Sequence, residues 1–498
     1  MKTFDVAICG YGPVGAVFSV LLAKYGYQVL VIEKNKGPSP TARAINTDGE
    51  QLRVFDKLNI AEEIVANSNQ IENVHFSDAN LKPLQSIQLE PGETEMGWPN
   101  QVLFYQPELE GFIRRQVNLH KNITVMESST LINFDNKEKG VELYVENSGK
   151  TTNIFSKLLV GCDGASSFVR KQLNIELEDF GYNQSWLVCD AHLTQEISLQ
   201  NALIQVCDPK RPCTFLYGRR GHLRFEFRVM SEDSLEDFKN DDYIWNLLSP
   251  WINRDNAVLE RAAVYKFHAC IAESWRDKNV LIAGDAAHQM PPFMGAGMGA
   301  GIRDVANLAW KIHLYFQNKA SDTILNTYMY ERFNHAKWTI AQTISIGEII
   351  EGFCAAAEGK EYNPNSKGYA AQFPHIAEGI YKNSNNGING YPIPQPSIQH
   401  HQTTIKLDKV IESSFTLIFQ SSEFSLTQKA QAIVDLLNIK FLELSKEDDP
   451  EKRLNKIFDN YEYILVRPDL YVYGAATSRN LSDMIESLED KFSLKIKP

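Results

Sequence analysis

The sequence predicts an α/β protein with three parts: a domain built on a parallel sheet, a mainly antiparallel sheet inserted into it, and a separate C-terminal domain. Three observations support this prediction. The chain opens with an apolar strand, a glycine-rich turn, a helix and a second strand. Its middle contains short strand-like runs separated by turns. Strand and helix patterns alternate again after a segment rich in Asn, Gly and Pro.

Length and composition are those of a multidomain globular protein. The 498 residues exceed what one hydrophobic core usually serves, and 43% of them are apolar against 22% charged. A net charge of −12 without a cluster of Lys and Arg argues against nucleic-acid binding. Seven scattered cysteines without a CxxC pair disfavour disulfides and a metal site. Because the chain begins directly with a strand, we expect a cytoplasmic protein without a signal peptide or a membrane span.

The first predicted element is a βαβ unit. Phe4–Cys9 and Gln28–Glu33 have the short apolar pattern of buried strands, and Val14–Tyr25 has the small and aliphatic content of a buried helix. Parallel strands joined by a helix imply a sheet that is covered on both faces.

The turn after the first strand reads GYGPVG, a GxGxxG motif. The first glycine permits the tight turn, the second lets a pyrophosphate approach the backbone, and the third lets the helix pack closely on the strand. The second strand ends at Glu33, 18 residues past Gly15 (33 − 15), where a carboxylate can bind an adenosine ribose. The unit predicts a Rossmann-like dinucleotide site and does not distinguish NAD from FAD. The expected contact residues are Gly10, Gly12, Pro13, Gly15, Glu33 and Lys34.

The middle of the chain, roughly 186–266, predicts the inserted sheet. Its strand-like runs are Trp186–Cys189, Leu203–Cys207, Phe215–Tyr217 and Leu223–Val229. After it, Val280–Ala283 returns to the apolar strand type, and a helix with apolar residues at helical spacing is predicted from about Gly301 to Phe316.

A second group of polar and glycine residues follows the strand at 280–283. Gly284-Asp285 comes first, then Pro291-Pro292, then a glycine-rich loop at Gly295–Gly301. A carboxylate at a strand end suits a polyol hydroxyl, and a helix N-terminus stabilises an anionic ring edge such as that of a reduced flavin. The glycine spacing also mimics a second dinucleotide motif, but the intervening prolines argue against that alternative.

Three motifs together resemble the fingerprints of a known family. The GxGxxG turn, the segment Gly161–Arg170 (GCDGASSFVR) and the segment Gly284–His288 (GDAAH) are similar to those of the class A flavoprotein monooxygenases, the para-hydroxybenzoate hydroxylase group. The resemblance covers about residues 1–345. It implies tightly but non-covalently bound FAD, with NADH or NADPH as co-substrate.

The resemblance also implies which residues contact the cofactor. Arg43 would approach the pyrophosphate, Gln106 the flavin and Asp285 the ribitol, while Asp163 would serve both FAD and NAD(P)H. The remaining expected cofactor residues are Gly164, Gly284, Pro292, Gly295, Gly297 and Met298.

Four shorter segments point to one subgroup of this family. The segments that look most like 3-(3-hydroxyphenyl)propionate hydroxylases are Gly97–Pro99, Cys207–Pro212, Arg224–Phe227 and Val466–Asp469. Two residues depart from the family, since Ala296 and Gly299 stand where relatives often have Gln and Asn. The departures bear on ring positioning and substrate fit more than on FAD binding, because this loop works largely through backbone N–H groups.

The chemistry implied by the resemblance is hydroxylation of a phenolic ring. In that family NAD(P)H reduces FAD, the reduced flavin captures O₂ as a C4a-hydroperoxide, and one oxygen passes to the phenol. The expected substrate is a phenol such as a 3-hydroxyphenylpropionate-like compound. A base or hydrogen-bond partner for the phenol is expected in the pocket. Arg224 could bind a substrate carboxylate or pair with Glu226. Tyr265 and His268 could instead be hydrogen-bonded core residues, which are commoner than catalytic ones. The candidate catalytic residues are Tyr217, Arg224, Tyr265, His268 and Pro292.

The expected domains are an FAD-binding domain at 1–180 and 267–345, a substrate-binding sheet domain at 70–105 and 181–266, and a helical segment and linker at 346–396. The pattern at 397–498, which includes a predicted strand at Leu470–Tyr473, looks like a thioredoxin fold. Without CxxC it has no redox dithiol, so a structural or interface role is expected.

Other functions are compatible with the same motifs. The scaffold could belong to an FAD-dependent halogenase or a non-oxygenating flavin oxidoreductase, although the halogenase WxWxIP segment is absent. It could also be a flavin-binding interaction protein without turnover. The expected partners are an aromatic small molecule and O₂, with a possible homodimer.

Overall fold

A computed structural model describes residues 2–38, 43–89, 92–362, 374–376, 378–381, 387–420, 424–445 and 447–496, apart from the side chain of Arg220. Residues 41–42, next to the predicted pyrophosphate contact Arg43, lie outside the described residues, as do residues 363–373, 377 and 382–386 of the predicted helical segment and linker. The N-terminal elements are β1 (Lys2–Cys9), α1 (Pro13–Lys24), β2 (Val29–Ile32), β3 (Asn46–Thr47), α2 (Gly49–Lys57), α3 (Ala61–Ala66), β4 (Asn69–Gln70), β5 (Asn73–Ser77), β6 (Pro83–Gln88), β7 (Val102–Leu103), α4 (Gln106–Leu119), β8 (Ile123–Met126), β9 (Ser129–Lys137), β10 (Gly140–Asn147), β11 (Lys150–Gly161) and α5 (Phe168–Gln172).

The middle of the chain continues with longer strands and two long helices. They are β12 (Leu177–Leu193), β13 (Ala202–Val206), β14 (Cys213–Tyr217), β15 (His222–Arg228), α6 (Asp241–Leu248), β16 (Ala257–Ala272), β17 (Arg276–Asp277), β18 (Val280–Ile282), β19 (His288–Gln289), α7 (Ala296–Phe316) and α8 (Asn326–Ala357).

The first sheet is the predicted parallel one. Its order is β17-β18-β11-β1-β2-β8, parallel from β18 to β8, with β9 and β10 attached at β11. All four residues of β2 are buried, as expected of a strand covered on both faces. Register pairs Cys9 with Gly161, and Gly161 with Ile282. The carboxyl ends of β1, β11 and β18 therefore lie side by side, and this brings all three sequence motifs to one edge of the sheet.

The second sheet is the inserted one, in the order β19-β16-β12-β15-β14-β13-β5-β6. Its pairs are antiparallel except β13 with β5. One face of β15 packs Leu223, Phe225 and Phe227 into an apolar core with α6. Short pairing of β16 with β19 joins this sheet to the loop that follows β18. The two sheets therefore meet near Asp285.

The C-terminal part forms its own small sheet. Its elements are β20 (Ser397–His400), β21 (Thr403–Lys406), α9 (Leu407–Ile411), β22 (Thr416–Phe419), α10 (Gln428–Leu437), β23 (Lys440–Glu443), α11 (Asn455–Phe458), β24 (Tyr463–Val466), β25 (Val472–Ala476) and α12 (Leu481–Phe492). The sheet order is β23-β22-β24-β25, with β22 parallel to β23 and antiparallel to β24. The strand predicted to start at Leu470 starts at Val472, because Leu470 has a left-handed φ of 70° and belongs to a turn.

Buried ion pairs join this C-terminal part to the helices of the first domain. Arg467 is fully buried and contacts Glu331 of α8 at 2.7 Å and Asp469 at 2.6 Å. Arg53 of α2 contacts Asp408 of α9 at 2.6 Å. Removal of one partner from such a pair leaves an uncompensated buried charge, so these contacts fix how the C-terminal sheet docks.

One described segment, Asp322–Ala357, is long and apolar enough to cross a membrane by length and composition alone. Its helix α8 nevertheless carries Glu331 and Arg332, which are almost fully buried and pair with Arg467 and Asp304. These charges have their partners inside the protein, as in a core helix. The helix also runs through residue 345, where the sequence placed a domain boundary.

Candidate active site

A cleft of about 1420 Å³, its open mouth included, lies where the carboxyl ends of the parallel strands face the inserted sheet. The predicted cofactor residues that line it are Gly12, Pro13, Arg43, Gln106, Gly164, Gly284, Asp285, Pro292, Gly295, Gly297 and Met298. The predicted catalytic residues that line it are Tyr265, His268 and Pro292. The predicted residues outside the lining are Gly10, Gly15, Glu33, Lys34, Asp163, Tyr217 and Arg224.

The glycine turn is shaped by its own backbone. Gly10 has a φ of +106°, and a Cβ there would lie 2.3 Å from the carbonyl oxygen of Cys162. A Cβ at Gly15 would lie 2.2 Å from the carbonyl oxygen of Gly10. At Gly12, by contrast, a Cβ would have none of the described atoms beyond its chain neighbours within 4 Å. Gly10 and Gly15 are thus required by the fold, whereas the backbone at Gly12 is open to a group that approaches the turn from the cleft.

Glu33 supports this turn. Its carboxylate accepts a hydrogen bond from the backbone N–H of Tyr11 at 2.9 Å and one from that of Asn35 at 2.9 Å. The side chain is partly buried at the end of β2, where the ribose contact was predicted, and its neighbour Lys34 is exposed. The structure therefore assigns Glu33 a role in holding the loop, and its ribose contact stays a prediction.

Gln106 positions the segment that carries Arg43. Its side-chain oxygen accepts hydrogen bonds from the backbone N–H groups of Arg43 at 2.6 Å and Ala44 at 2.7 Å, and its amide donates to Glu110 at 2.7 Å. Gln106 is 5% exposed. It lines the cleft while both ends of its amide are occupied, and it holds Arg43 at the cleft wall.

Asp163 acts on the backbone around it. One carboxylate oxygen accepts from the hydroxyl of Ser167 at 2.6 Å, and the other accepts from the N–H groups of Phe168 at 2.7 Å and Val169 at 3.1 Å. These bonds cap the start of α5. The following Gly164 has a φ of +80° and lines the cleft, and a Cβ there would point into open space.

The loop after β18 presents Asp285 to the cleft. Buried Asp304 fixes this loop by accepting a hydrogen bond from the N–H of Gly284 at 3.1 Å and by contacting Nε2 of His288 at 2.7 Å. Burial opposes the charge of Asp304, but His288 and Arg332 hold its pKa below the usual range. The carboxylate of Asp285, in contrast, has no hydrogen-bond partner within the described chain.

The helix α7 begins at the cleft. Met294 and Gly295 have left-handed φ values of 71° and 61°, which turn the chain so that α7 starts at Ala296. The glycines predicted to form a loop up to Gly301 are therefore the first turns of the helix. Its N-terminal backbone N–H groups are free of helical partners and favour negative charge.

The structure explains one departure from the family pattern. A Cβ at Gly299 would lie 2.1 Å from Nε2 of Gln51. The side chain of Gln51, held by Thr47 and Asp48, fills the space where relatives often carry a larger residue. Sequence reasoning missed Gln51 because it comes from α2, far away along the chain. No contact explains the other departure, Ala296, beyond its place on the cleft wall.

These observations fit FAD. A Cβ at Gly12 or Gly164 would meet open space, and one at Gly297 would only touch atoms at 3.9 Å or more. The cleft thus exposes backbone without side chains at Gly12, Gly164 and Gly297, where an anion and a planar ring could approach. Arg43 lies on its wall, and the carboxylate of Asp285 is free to bind a polyol.

Arg224 is not available to a ligand in this structure. Register places Asp190 of β12 opposite Arg224, and its guanidinium contacts that carboxylate at 2.8 Å. Arg224 also donates to the carbonyl of Arg43 at 2.9 Å. The pairing with Glu226 proposed from the sequence is therefore replaced by one with Asp190, because partners across strands are closer than partners along one strand.

Asp190 also contacts two further side chains that can carry positive charge. Arg261 of β16 contacts it at 2.6 Å and His222 at 3.1 Å. Burial opposes ionisation of Asp190, but the hydrogen bond from His222 and the charge of Arg224 lower its pKa well below the usual range. Arg224 and Arg261 are thus both held by one carboxylate.

The other catalytic candidates occupy different places. The hydroxyl of Tyr265 accepts from Arg261 at 2.7 Å, and Nδ1 of His268 contacts Oδ1 of Asn183 at 2.5 Å. Both residues line the cleft. Tyr217 ends β14, where its carbonyl accepts from Asn69, and it lies outside the cleft lining.

Glu226 was expected only as a partner of Arg224. It lines the cleft, is 8% exposed, and burial raises its pKa to about 7. Its alternation with Phe225 and Phe227 could have indicated a polar face on β15.

The glycine turn at residues 10–15, at the end of a parallel strand, is typical of a dinucleotide-binding protein. Comparison with known families identifies the dinucleotide. Residues 3–343 match the family described as FAD binding domain, and residues 390–491 match the HcaD C-terminal domain. The chain therefore belongs to this FAD-binding family.

Two relatives narrow the class. The chain is 30% identical over 504 residues to a probable NADH-specific resorcinol 4-hydroxylase of Rhodococcus jostii (strain RHA1), covering 95% of this chain and 92% of the relative. It is 34% identical over 348 residues to a 3-(3-hydroxy-phenyl)propionate/3-hydroxycinnamic acid hydroxylase of Shigella sonnei (strain Ss046), covering 70% of this chain and 62% of the relative. The protein is an FAD-dependent aromatic hydroxylase of the monooxygenase type.

Solved structures share the fold. Aklavinone-11 hydroxylase with FAD and aklavinone superposes with a TM-score of 0.80 at 19% identity, and the flavin-dependent monooxygenase PieE with FAD and substrate gives 0.82 at 17% identity. Each match covers 99% of both chains. At such identities the likeness establishes the mixed α/β fold.

Proposed function

We propose that this protein hydroxylates a phenolic substrate, with NADH as the electron donor and O₂ as the oxygen source. The observation that supports the proposal is that Gly12 and Asp285, on the predicted cofactor side, line the same cleft as the polar residues of β15 and β16. FAD, when bound, takes a hydride from the nicotinamide and activates O₂. The preference for NADH follows the name of the Rhodococcus relative, which the chain matches along nearly its whole length.

The cleft residues have distinct proposed roles. The open side of Gly12 admits the pyrophosphate, and Arg43, which lines the same cleft, supplies a positive charge for it. The free carboxylate of Asp285 accepts hydrogen bonds from ribitol hydroxyls. The N-terminus of α7 favours negative charge on the ring edge, and Pro292 and Met298 bound the ring.

Two substrate classes are compatible with the relatives. A dihydroxybenzene such as resorcinol is uncharged, whereas 3-(3-hydroxyphenyl)propionate carries a carboxylate. Both have an electron-rich ring with a hydroxyl, which is what electrophilic oxygen transfer requires. Tyr265 and His268 lie on the cleft wall, where they can orient such a ring.

For the C-terminal part, we propose a thioredoxin-like domain with a structural role. The sheet order β23-β22-β24-β25, with one parallel pair and helices α10 and α12, supports it. No cysteine occurs between 397 and 498, so the domain has no thiol chemistry. All seven cysteines of the chain are free thiols, which fits the proposed cytoplasmic location. A homodimer stays a prediction.

The test is substrate-stimulated NADH oxidation by the purified yellow protein, with the product mass measured. We expect resorcinol or 3-(3-hydroxyphenyl)propionate to stimulate oxidation and to gain one oxygen. Flat NADH oxidation across a panel of phenols would favour a flavin-binding protein without turnover. A halogenated product formed in the presence of halide would favour the halogenase alternative.

A further inference from the structure

Glu226 is a buried carboxyl group in the cleft wall. It lies on β15, where register places Val188 of β12 on one side and Thr214 of β14 on the other. Its sequence neighbours Phe225 and Phe227 point to the apolar core behind the sheet. Because side chains alternate along a strand, Glu226 points to the opposite, cleft-facing side, where it is 8% exposed.

Nothing in the described part of the protein satisfies this carboxyl group by hydrogen bonding. The neighbouring hydroxyl of Thr214 donates to Gln205 at 2.6 Å. Arg224 and Arg261, the nearest positive groups, are both bound to Asp190. Its oxygens are not sealed off inside the protein but open onto the cleft, so a ligand that enters the cleft can supply the missing hydrogen bond.

We propose that the carboxylate of Glu226 accepts a hydrogen bond from the hydroxyl of the substrate, and that the site therefore takes an uncharged phenol in preference to an aryl carboxylate. This inference rests on the proposed function. A second carboxylate placed beside Glu226 would be repelled, and the arginines that could neutralise it are occupied by Asp190.

The hydrogen bond also serves the reaction. A carboxylate that accepts from a phenol O–H draws the proton toward itself and leaves more electron density on the ring, without breaking the O–H bond. That density favours attack by the ring on an electrophilic oxygen.

The ionisation of Glu226 sets the pH range of this contact. Burial raises its pKa to about 7, the charge of Arg224 opposes the shift, and Asp190 adds to it. Below this value the carboxyl is protonated and cannot accept in the same way, so binding of a neutral phenol strengthens as pH rises through about 7. The carboxyl and the cleft are surrounded by the following charged or titratable groups: Arg224 and Arg228 on β15, Tyr182 and Asp190 on β12, Cys213 on β14, Arg261, Tyr265, Lys266 and His268 on β16, and Arg43, Cys162 and Asp285 on the opposite wall. Of these, Arg228 is paired with Glu351.

The test compares Glu226→Gln and Glu226→Asp with wild type, using Glu178→Gln as the control, because Glu178 is an exposed residue of β12 that pairs with Lys337. Binding of resorcinol to the oxidised holoenzyme is measured from the perturbation of the flavin spectrum at about pH 5.5 and about pH 8.5. We expect Glu226→Gln to weaken binding at the higher pH by about 10- to 100-fold and to abolish the pH dependence, since a charged acceptor is lost. Glu226→Asp should keep the pH dependence, and the control should match wild type.

Binding of 3-(3-hydroxyphenyl)propionate provides the second measurement. Wild type should bind it more weakly than resorcinol, and Glu226→Gln should reduce that preference. Unchanged resorcinol affinity in Glu226→Gln at wild-type flavin content would overturn the inference, as would tighter binding of the aryl carboxylate by wild type. If Glu226→Gln does not retain FAD, Glu226→Asp takes its place as the test. Binding of resorcinol by Glu226→Asp that does not change with pH would overturn the inference. Hydroxylation by wild type with unaffected variants rejects only the role of Glu226, whereas absence of any oxygenated product rejects the proposed function.

Discussion

Replacing Glu226 with Gln should stabilise the holoenzyme without substrate at high pH and leave its stability nearly unchanged at low pH. The folded protein raises the pKa of this carboxyl from 4.5 to about 7. A raised carboxyl pKa means that the native state holds a proton that the unfolded chain has lost, so stability falls as pH rises between these values. The difference of 2.5 units (7 − 4.5), at about 1.4 kcal/mol each, gives a loss of about 3 kcal/mol above pH 7.

The assay is thermal unfolding of wild type, Glu226→Gln and the control Glu178→Gln at about pH 5 and about pH 8. Glutamine has the same shape and no charge to bury, so the variant should unfold about 5 °C higher than wild type at the upper pH. The control Glu178→Gln should have the same unfolding temperature as wild type at both pH values. A Glu226→Gln shift that is equal at both pH values, or a destabilisation at the higher one, would refute the reasoning about the buried charge.

Three further substitutions test other parts of the account. Gly12→Ala should fold normally but lose FAD affinity, because the new Cβ occupies only the space of the pyrophosphate. Gly10→Ala should instead destabilise the fold, because its Cβ clashes with the carbonyl of Cys162. Measurements of flavin content and unfolding temperature distinguish the two variants. Asp285→Ala should give colourless protein with an intact circular dichroism spectrum. Arg467→Met should cost about 3–5 kcal/mol, visible as a lower unfolding midpoint, because it leaves buried carboxylates unpaired.

Each of these has an outcome that contradicts it. Full flavin retention in Gly12→Ala would mean that no ligand approaches that turn closely. Full retention in Asp285→Ala would remove Asp285 from the cofactor site. Wild-type stability of Arg467→Met would mean that the ion pairs do not hold the C-terminal sheet in place.

The backbone of the cofactor cradle was predictable from sequence. Gly10 and Gly12 lie between a strand and a helix, and Gly15 lies in the first turn of that helix. This local order dictates the turn whatever surrounds it. The strands of the inserted sheet were predictable for the same reason, since Leu223 to Val229 alternates large apolar and polar residues. These features depend on neighbours along the chain.

The side-chain pairing of the site depends on register between distant strands and could not be predicted. Arg224 meets Asp190 because β12 and β15 align at those positions, and a shift of one residue would have reversed both faces. The filling of the space at Gly299 by Gln51 likewise depends on how α2 docks against α7. The isolation of Glu226 follows from the first of these pairings, because Asp190 takes the arginines that would otherwise neutralise it.

The most direct test of the central claim is turnover of resorcinol with NADH under isotopically labelled O₂. The account predicts that one labelled oxygen atom enters the product for each NADH consumed in the coupled reaction, and that Asp285→Ala forms none of this product. Rapid NADH oxidation that yields only hydrogen peroxide with every phenol tested, or a product whose new oxygen comes from water, would contradict it.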